Sequence, residues 1–455
     1  MLNRVLHILP TSAFLFLISL GTCLAQGTYF TREQMEEDLL FLTRKLQARH
    51  PNLQIYTGAS EFASFVDQMV FPDSVNEQTA YTCFASLSSV IKDGHTFFYP
   101  SMESIDERDE NDSFLPIQLY WDGKHAYLTK DFGFNPELKP GRKITSIGGE
   151  LIDSIIHHML PRMMRDGNSL KYPTWILNTF FFEYYSYFYG FSSTYSFGIE
   201  DETGKAIKVI ARSVKKEELM PQLFEEEETL KRGIYLDLDS TTHTAILTIK
   251  DWHNEVLKER YKQHFKKEIH PIFEQILSSG VEHLIIDIRD NQGGNTINAK
   301  RVLAYLLDEP FVMIEGFNKL KNGELRKASG SNDGVQKPEK NVFGGKLVVL
   351  INGGSFSNSG IFASTLRKYE RAVFVGEETG GSACTLSANA LLFTLPNTGV
   401  RVAIPILQFV LKDCAPSEFR GVRPDHEIKA SIEDLIEFRD PVLEFAIDLI
   451  QERQK

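Results

Sequence analysis

From Gly233 onward the chain alternates short apolar strands with amphipathic helices, and this pattern restricts the fold more tightly than any other feature. TAILTI (244–249), HLIIDI (283–288), KLVVLIN (346–352) and AVFVGE (372–377) are apolar through their length, with no regular polar alternation. A strand apolar on both sides is buried on both, which calls for a largely parallel sheet with helices on each face. Helical periodicity at 264–277, 297–307, 361–369 and in the closing SIEDLIEFRDPVLEFAIDLIQER supplies those helices. The fold class is therefore α/β, and such sheets present their chemistry in the loops at the carboxyl ends of the strands.

The 455 residues exceed one ordinary core. The first 25 residues place Arg4 ahead of an apolar run at 13–20, with small residues up to Ala25, so 1–25 reads as a secretory signal peptide cleaved after Ala25. Lipid attachment at Cys23 is the lesser alternative, because Thr22 stands where that processing requires Gly, Ala or Ser. The expected location is exported, periplasmic or extracellular, with no later stretch suited to spanning a bilayer. Residues 26–100 show helical spacing in Met35, Leu39, Leu42 and Leu46 and again in Ala80, Phe84, Leu87 and Ile91, with the second helix expected to stop at Gly94. His95 then falls at a helix-to-strand junction. A middle module, 101–232, opens on PIQLYWDGKHAYLTKDF, which reads as a β-hairpin. GRKITSIGGELIDSIIHHML follows as strand, turn and helix, and an aromatic stretch at 175–191 reads as buried packing. Residues 233–455 form the α/β half.

A net charge of -12 without clustered Lys and Arg argues against a nucleic-acid partner. No His-Glu-x-x-His, paired Cys-x-x-Cys or phosphate-binding Gly-Lys-Ser/Thr loop is present, so no metal or other cofactor is expected. Cys384 and Cys414 could pair after export or remain as buried thiols, and spacing does not choose between them.

Two loops after apolar strands have the composition of a reactive site. Arg289-Asp290-Asn291-Gln292-Gly293-Gly294-Asn295 exposes backbone amides that could meet an oxyanion, although paired glycines also make plain turns. Asn352-Gly353-Gly354-Ser355-Phe356-Ser357-Asn358-Ser359-Gly360 places serines at a helix start. There a hydroxyl can serve either as a cap or as a nucleophile beside the positive helix end, and the run does not fit a Gly-x-Ser-x-Gly elbow.

Together with Asp93-Gly94-His95-Thr96, Gly141-Arg142-Lys143-Ile144-Thr145-Ser146-Ile147-Gly148-Gly149, the run 374–381, Gly421-Val422-Arg423-Pro424-Asp425 and Arg439-Asp440, these loops resemble, in order, the C-terminal processing (tail-specific) serine protease family. The resemblance implies a crotonase- or ClpP-like catalytic domain preceded by a helical segment, and a middle module that is either a degenerate PDZ-like domain or a replacement for one. The lysine that activates serine in one branch of that family has no counterpart, since no lysine stands between Lys368 and Lys412. The pattern is closer to the branch resembling the tricorn core protease, which uses Ser, His and Glu. Carried onto this chain, that branch implies Ser357 as nucleophile, His95 as general base and Glu418 as the carboxylate that orients the histidine. The backbone amides of Gly293, Gly294 and Asn358 become the oxyanion donors, and the substrate a peptide or a protein C-terminal tail. Ser359 is the rival nucleophile. The alternative function is a non-catalytic protein on the same scaffold that binds a peptide or an apolar ligand. Oligomeric state is not legible in the sequence.

Overall fold

The structure, a computed structural model, describes residues 28–111, 113–201, 203–224, 232–328, 330, 333–411 and 420–452. The expected signal peptide, Cys23, Cys414 and Glu418 lie outside the described residues. The architecture is mixed α/β. Its central sheet runs, in spatial order, Ile234–Asp239, Thr244–Ile249, His283–Asp287, Lys346–Ile351, Val373–Gly376 and His426–Glu427, the first pairing antiparallel and the rest parallel. Alternate residues of each apolar strand enter different cores. Leu284, Ile286, Leu347 and Val349 pack with the helices Phe265–Ser278, Thr296–Leu306 and Asn358–Lys368. Ile285, Val348, Leu350 and Val375 pack with Val442, Ala446 and Ile450 of Pro441–Glu452. Burial on both faces is why these strands lack a polar side.

The closing segment, expected as one helix, is two: Ile432–Ile436 and Pro441–Glu452, with Phe438 between them at φ 53°. Proline fits only the first turn of a helix, so Pro441 starts a new one. Asp440 accepts the Leu443 N–H at 3.0 Å and receives both terminal nitrogens of Arg289 at 2.7 Å. Arg289 also holds Asp287 through Nε and Nη2. This fork ties the glycine-rich loop after the third strand to the last helix. Arg289→Ala leaves two carboxylates facing each other without their shared cation, and urea unfolding should show about 3 kcal/mol lost.

Sequence periodicity did not reveal a second antiparallel sheet. The long hairpin Thr385–Thr394 and Arg401–Val410 pairs with Gly316–Lys321, which pairs in turn with Glu324–Ala328. Phe97–Tyr99, from the N-terminal segment, joins Arg401–Ala403 antiparallel. The helix Arg32–Arg49, begun by a Thr31/Gln34 capping box, buries Asp38. That carboxylate accepts the Asn397 and Thr398 amides and the Thr398 hydroxyl at the hairpin turn. The N-terminal part is thus pinned onto the α/β half at two places. The helix expected to reach Gly94 ends at Ile91, with Lys92 left-handed at φ 52°.

In the middle module Ile117–Trp121, Ala126–Asp131, Lys143–Ile147, Thr194–Glu200 and Ala206–Arg212 form one antiparallel sheet whose two ends meet in the Phe114–Val214 bridge. The strand-turn-helix expected at 141–160 is present, with Gly148 and Gly149 at positive φ before Ile152–Met159. The aromatic helix Lys171–Tyr189 closes the edge of Ile117–Trp121: Asn178 accepts the Trp121 N–H at 2.8 Å and donates to its carbonyl at 3.1 Å. At its kink, Phe180, Gln118 satisfies the freed backbone of Leu177 and Phe181. Residues of the N-terminal helices, this module and the long hairpin share one continuous core, so no core boundary falls at residue 100. Among the described residues no helix is long and apolar enough to cross a membrane.

Candidate active site

Three serines follow the strand Lys346–Ile351, and hydrogen bonding separates them. Ser355 is fully buried, its hydroxyl donating to the Ile288 carbonyl at 2.8 Å and accepting the Asn352 N–H. Ser359 is fully buried as well, donating to the Asn291 carbonyl at 2.7 Å and accepting from the Trp252 indole at 2.8 Å. Both fasten this loop to its neighbours. Ser359, the rival nucleophile, is thereby occupied and screened from any substrate. Ser357 alone of the three keeps partial exposure, and its Oγ lies 3.0 Å from His95 Nε2.

Ser357 has φ 54° and ψ −115°, a backbone region that costs a non-glycine residue about 1–3 kcal/mol and that gathers at functional sites. A sharp strand-to-helix turn therefore exists here without the elbow motif. Gly293 makes room for it: with φ 106°, a Cβ on Gly293 would lie 2.7 Å from the Ser357 Cβ and 2.9 Å from the Asn358 nitrogen. Gly293→Ala should slow any reaction at Ser357 by about 100-fold through misplacement of the hydroxyl. The check is kcat/KM, or the acylation rate, on protein shown by circular dichroism to be folded.

The three predicted amide donors are close together but not equivalent. The Gly293 N–H donates to Asn291 Oδ1 at 3.0 Å. The Gly294 N–H has no acceptor among the described residues, while Gly294 packs on the Trp252–His253 backbone so closely that a Cβ would meet the His253 nitrogen at 2.4 Å. Asn358 opens the helix Asn358–Lys368, so its N–H has no intrahelical acceptor.

His95 reaches Ser357 because Phe97–Tyr99 anchors its turn to the long hairpin. Its backbone N–H donates to Asp93 Oδ1 at 2.9 Å, and its ring stacks on Phe356 at 4.9 Å between centroids. Burial lowers the imidazole pKa below its usual 6.5, with Asp93 opposing and His50 reinforcing that shift. A neutral ring at Nε2 can accept the serine proton. Nδ1 is buried and has no partner among the described residues. Glu418, predicted for that position, lies outside them.

Several residues that support the site had no role assigned to them from the sequence. Asp93 accepts from the His95 amide and the Thr96 hydroxyl, and His50 Nε2 is 2.9 Å from the same hydroxyl. Phe356 stacks on Tyr172 at 3.9 Å, and Tyr172 on Trp175 at 5.8 Å, so the aromatic helix of the middle module braces the nucleophile loop. Of those rings only Trp175 fell in the stretch read in sequence as buried packing. Among the described residues no cluster could hold a metal ion. Cys384 is disulfide-bonded, and Cys83 is free. A cavity of about 1910 Å³ adjoins the site between the middle module and the α/β half, lined by Trp121, Trp175, Asp290 and Glu378 among others.

Residues 243–428 match Peptidase family S41. A carboxyl-terminal-processing protease of Synechocystis sp. is 27% identical over 187 residues, 40% of this chain and 40% of that protein. A chloroplastic carboxyl-terminal-processing peptidase of Arabidopsis thaliana is 26% identical over 160 residues, 35% of this chain and 30% of that one. The chain thus spans less than half the length of these curated relatives. Mature CPAF superposes with a TM-score of 0.62 at 14% identity, covering 92% of this chain and 98% of that structure. At that identity the likeness concerns the fold, which extends over nearly the whole chain. Through residues 243–428 this chain is thus similar to Peptidase family S41 and to carboxyl-terminal-processing proteases.

Proposed function

We propose that the protein is a serine peptidase that works through an acyl-enzyme, with Ser357 as nucleophile and His95 as general base. The observation that carries this reading is the 3.0 Å contact between Ser357 Oγ and His95 Nε2. As Oγ attacks the scissile carbonyl carbon, its proton passes to Nε2 and the carbonyl oxygen becomes an oxyanion. Collapse breaks the C–N bond, the imidazolium returns the proton to the leaving amine, and Ser357 is left as an ester. Water, deprotonated by the same imidazole, hydrolyses that ester and restores the serine.

The oxyanion donors are assigned to the glycine pair Gly293–Gly294 and to Asn358. Among the described residues the Gly294 and Asn358 amides have no other acceptor, whereas that of Gly293 is shared with Asn291. Glu418 is assigned to His95 Nδ1, where a carboxylate would fix the tautomer and stabilise the imidazolium. This assignment rests on the resemblance and on a buried Nδ1 that has no partner among the described residues. A lysine base finds no support, since the position facing Ser357 Oγ is an imidazole.

The substrate class is a peptide or a protein tail, as the names of the curated relatives suggest. Export to the periplasm or beyond follows from the N-terminal reading, with Ala25 the last residue removed. The middle module fits a PDZ-like part whose strand Ile117–Trp121 is capped by Asn178, so that edge is closed to a peptide strand. Hydrolysis of a fluorogenic peptide library by the signal-trimmed protein, blocked by a serine-acylating reagent, is the expected result. A folded protein that neither cleaves nor becomes acylated would point instead to a binding role on this scaffold.

A further inference from the structure

Behind His95 lies an acid that belongs to the middle module. Asp166 sits between the short 3-10 helix Leu160–Arg162 and the helix Lys171–Tyr189 and is 1% exposed. Its Oδ1 accepts the Gly94 N–H at 2.7 Å, and its Oδ2 accepts the Ser382 N–H at 2.9 Å. Gly94 immediately precedes His95. Ser382 immediately follows Gly381, which packs so that a Cβ there would lie 3.2 Å from the Ser357 nitrogen and from the Phe356 ring. One carboxylate thus bridges the turn that carries the histidine and the loop that walls the serine. The joint is tight: a Cβ on Gly94 would meet the Phe356 ring at 2.8 Å and Asp166 Oδ1 at 2.9 Å. The next residue extends the contact, the Gly167 N–H donating to the Lys92 carbonyl at 2.8 Å.

We propose that Asp166 is a positioning residue: by accepting the Gly94 and Ser382 amides together, its carboxylate holds the His95 imidazole at hydrogen-bond distance from Ser357. The inference rests on the Ser357–His95 reading and deepens it. Bridging requires an ionised carboxylate, because protonation turns one acceptor oxygen into a donor facing an N–H. The groups around it are Asp93 from the histidine turn, with His50 behind, Tyr56 from the segment after the first helix, and Tyr172 from the adjoining helix. None of these is a cation paired with Asp166. Burial first, and Asp93 second, raise the Asp166 pKa to about 7 against the two amide bonds that lower it. The bridge is therefore lost as pH falls through that value, ahead of protonation of His95, whose pKa is lowered.

The test is the rate of acylation by a fluorophosphonate as a function of pH, in the wild type and in Asp166→Asn. An asparagine can accept only one of the two amides and sets its own NH₂ against the other. Its acylation rate at alkaline pH should fall about 100-fold through misplacement of the base, with the apparent affinity for the reagent unchanged. The wild-type acid limb should steepen toward a slope of about two protons, and that of the variant should show about one. A folded Asp166→Asn acylated at the wild-type rate overturns the proposal, as does a wild-type limb of one proton. If the variant does not fold, the wild-type slope alone decides. Failure of the wild type to be acylated at all refutes the peptidase reading, and the proposal with it.

Discussion

Ser357→Ala is expected to lower peptide hydrolysis by about 10⁵- to 10⁶-fold, the loss found when the nucleophile of a cooperating serine-histidine unit is removed. The fold should survive, because the Ser357 hydroxyl caps no backbone amide and, among the described residues, its only hydrogen-bonding partner is His95. Alanine in that strained conformation loses nothing that serine supplied to stability. Ser359→Ala makes the opposite contrast. It removes the acceptor of the Trp252 indole and a donor to Asn291, both buried, so it should cost about 1–3 kcal/mol in stability yet keep its chemistry. Thermal unfolding and kcat measured on both variants separate a reacting serine from a structural one.

His95→Ala should lose activity on a similar scale, and the double variant with Ser357→Ala should be no worse than either alone, because the two side chains act as a unit. The pH profile gives the sign. A general base works when unprotonated, so activity is present above the imidazole pKa and lost below it. Burial has moved that pKa below 6.5, which extends the active range toward acid for this group. In Asp166→Asn, where the second ionisation is removed, the remaining limb should report His95 alone, with a midpoint under 6.5. A base of lysine type would instead place the limb well into the alkaline range.

How much of this was legible in the sequence depended on the kind of contact. The central sheet could be read because burial on both faces leaves a continuous apolar run, as in His283–Asp287 and Lys346–Ile351. The long hairpin at 385–410 was overlooked, and the hairpin is what receives Phe97–Tyr99 and so brings His95 to Ser357. Pairing across some 300 residues leaves no local trace. The loops were visible through their glycines, but the choice among Ser355, Ser357 and Ser359 was not a matter of composition. It lies in which hydroxyls are taken by Ile288, Asn291 and Trp252. Asp166 carried no signal in the sequence, because a buried carboxylate bridging two distant amides has the same local spelling as an exposed one.

The measurement closest to the central claim is acylation of the wild-type protein by a fluorophosphonate, with the modified residue located by peptide mass spectrometry. The account predicts a single adduct on Ser357, retained in Ser359→Ala and abolished in both Ser357→Ala and His95→Ala. An adduct on Ser359, or undiminished labelling of Ser357 in the His95→Ala protein, would contradict it.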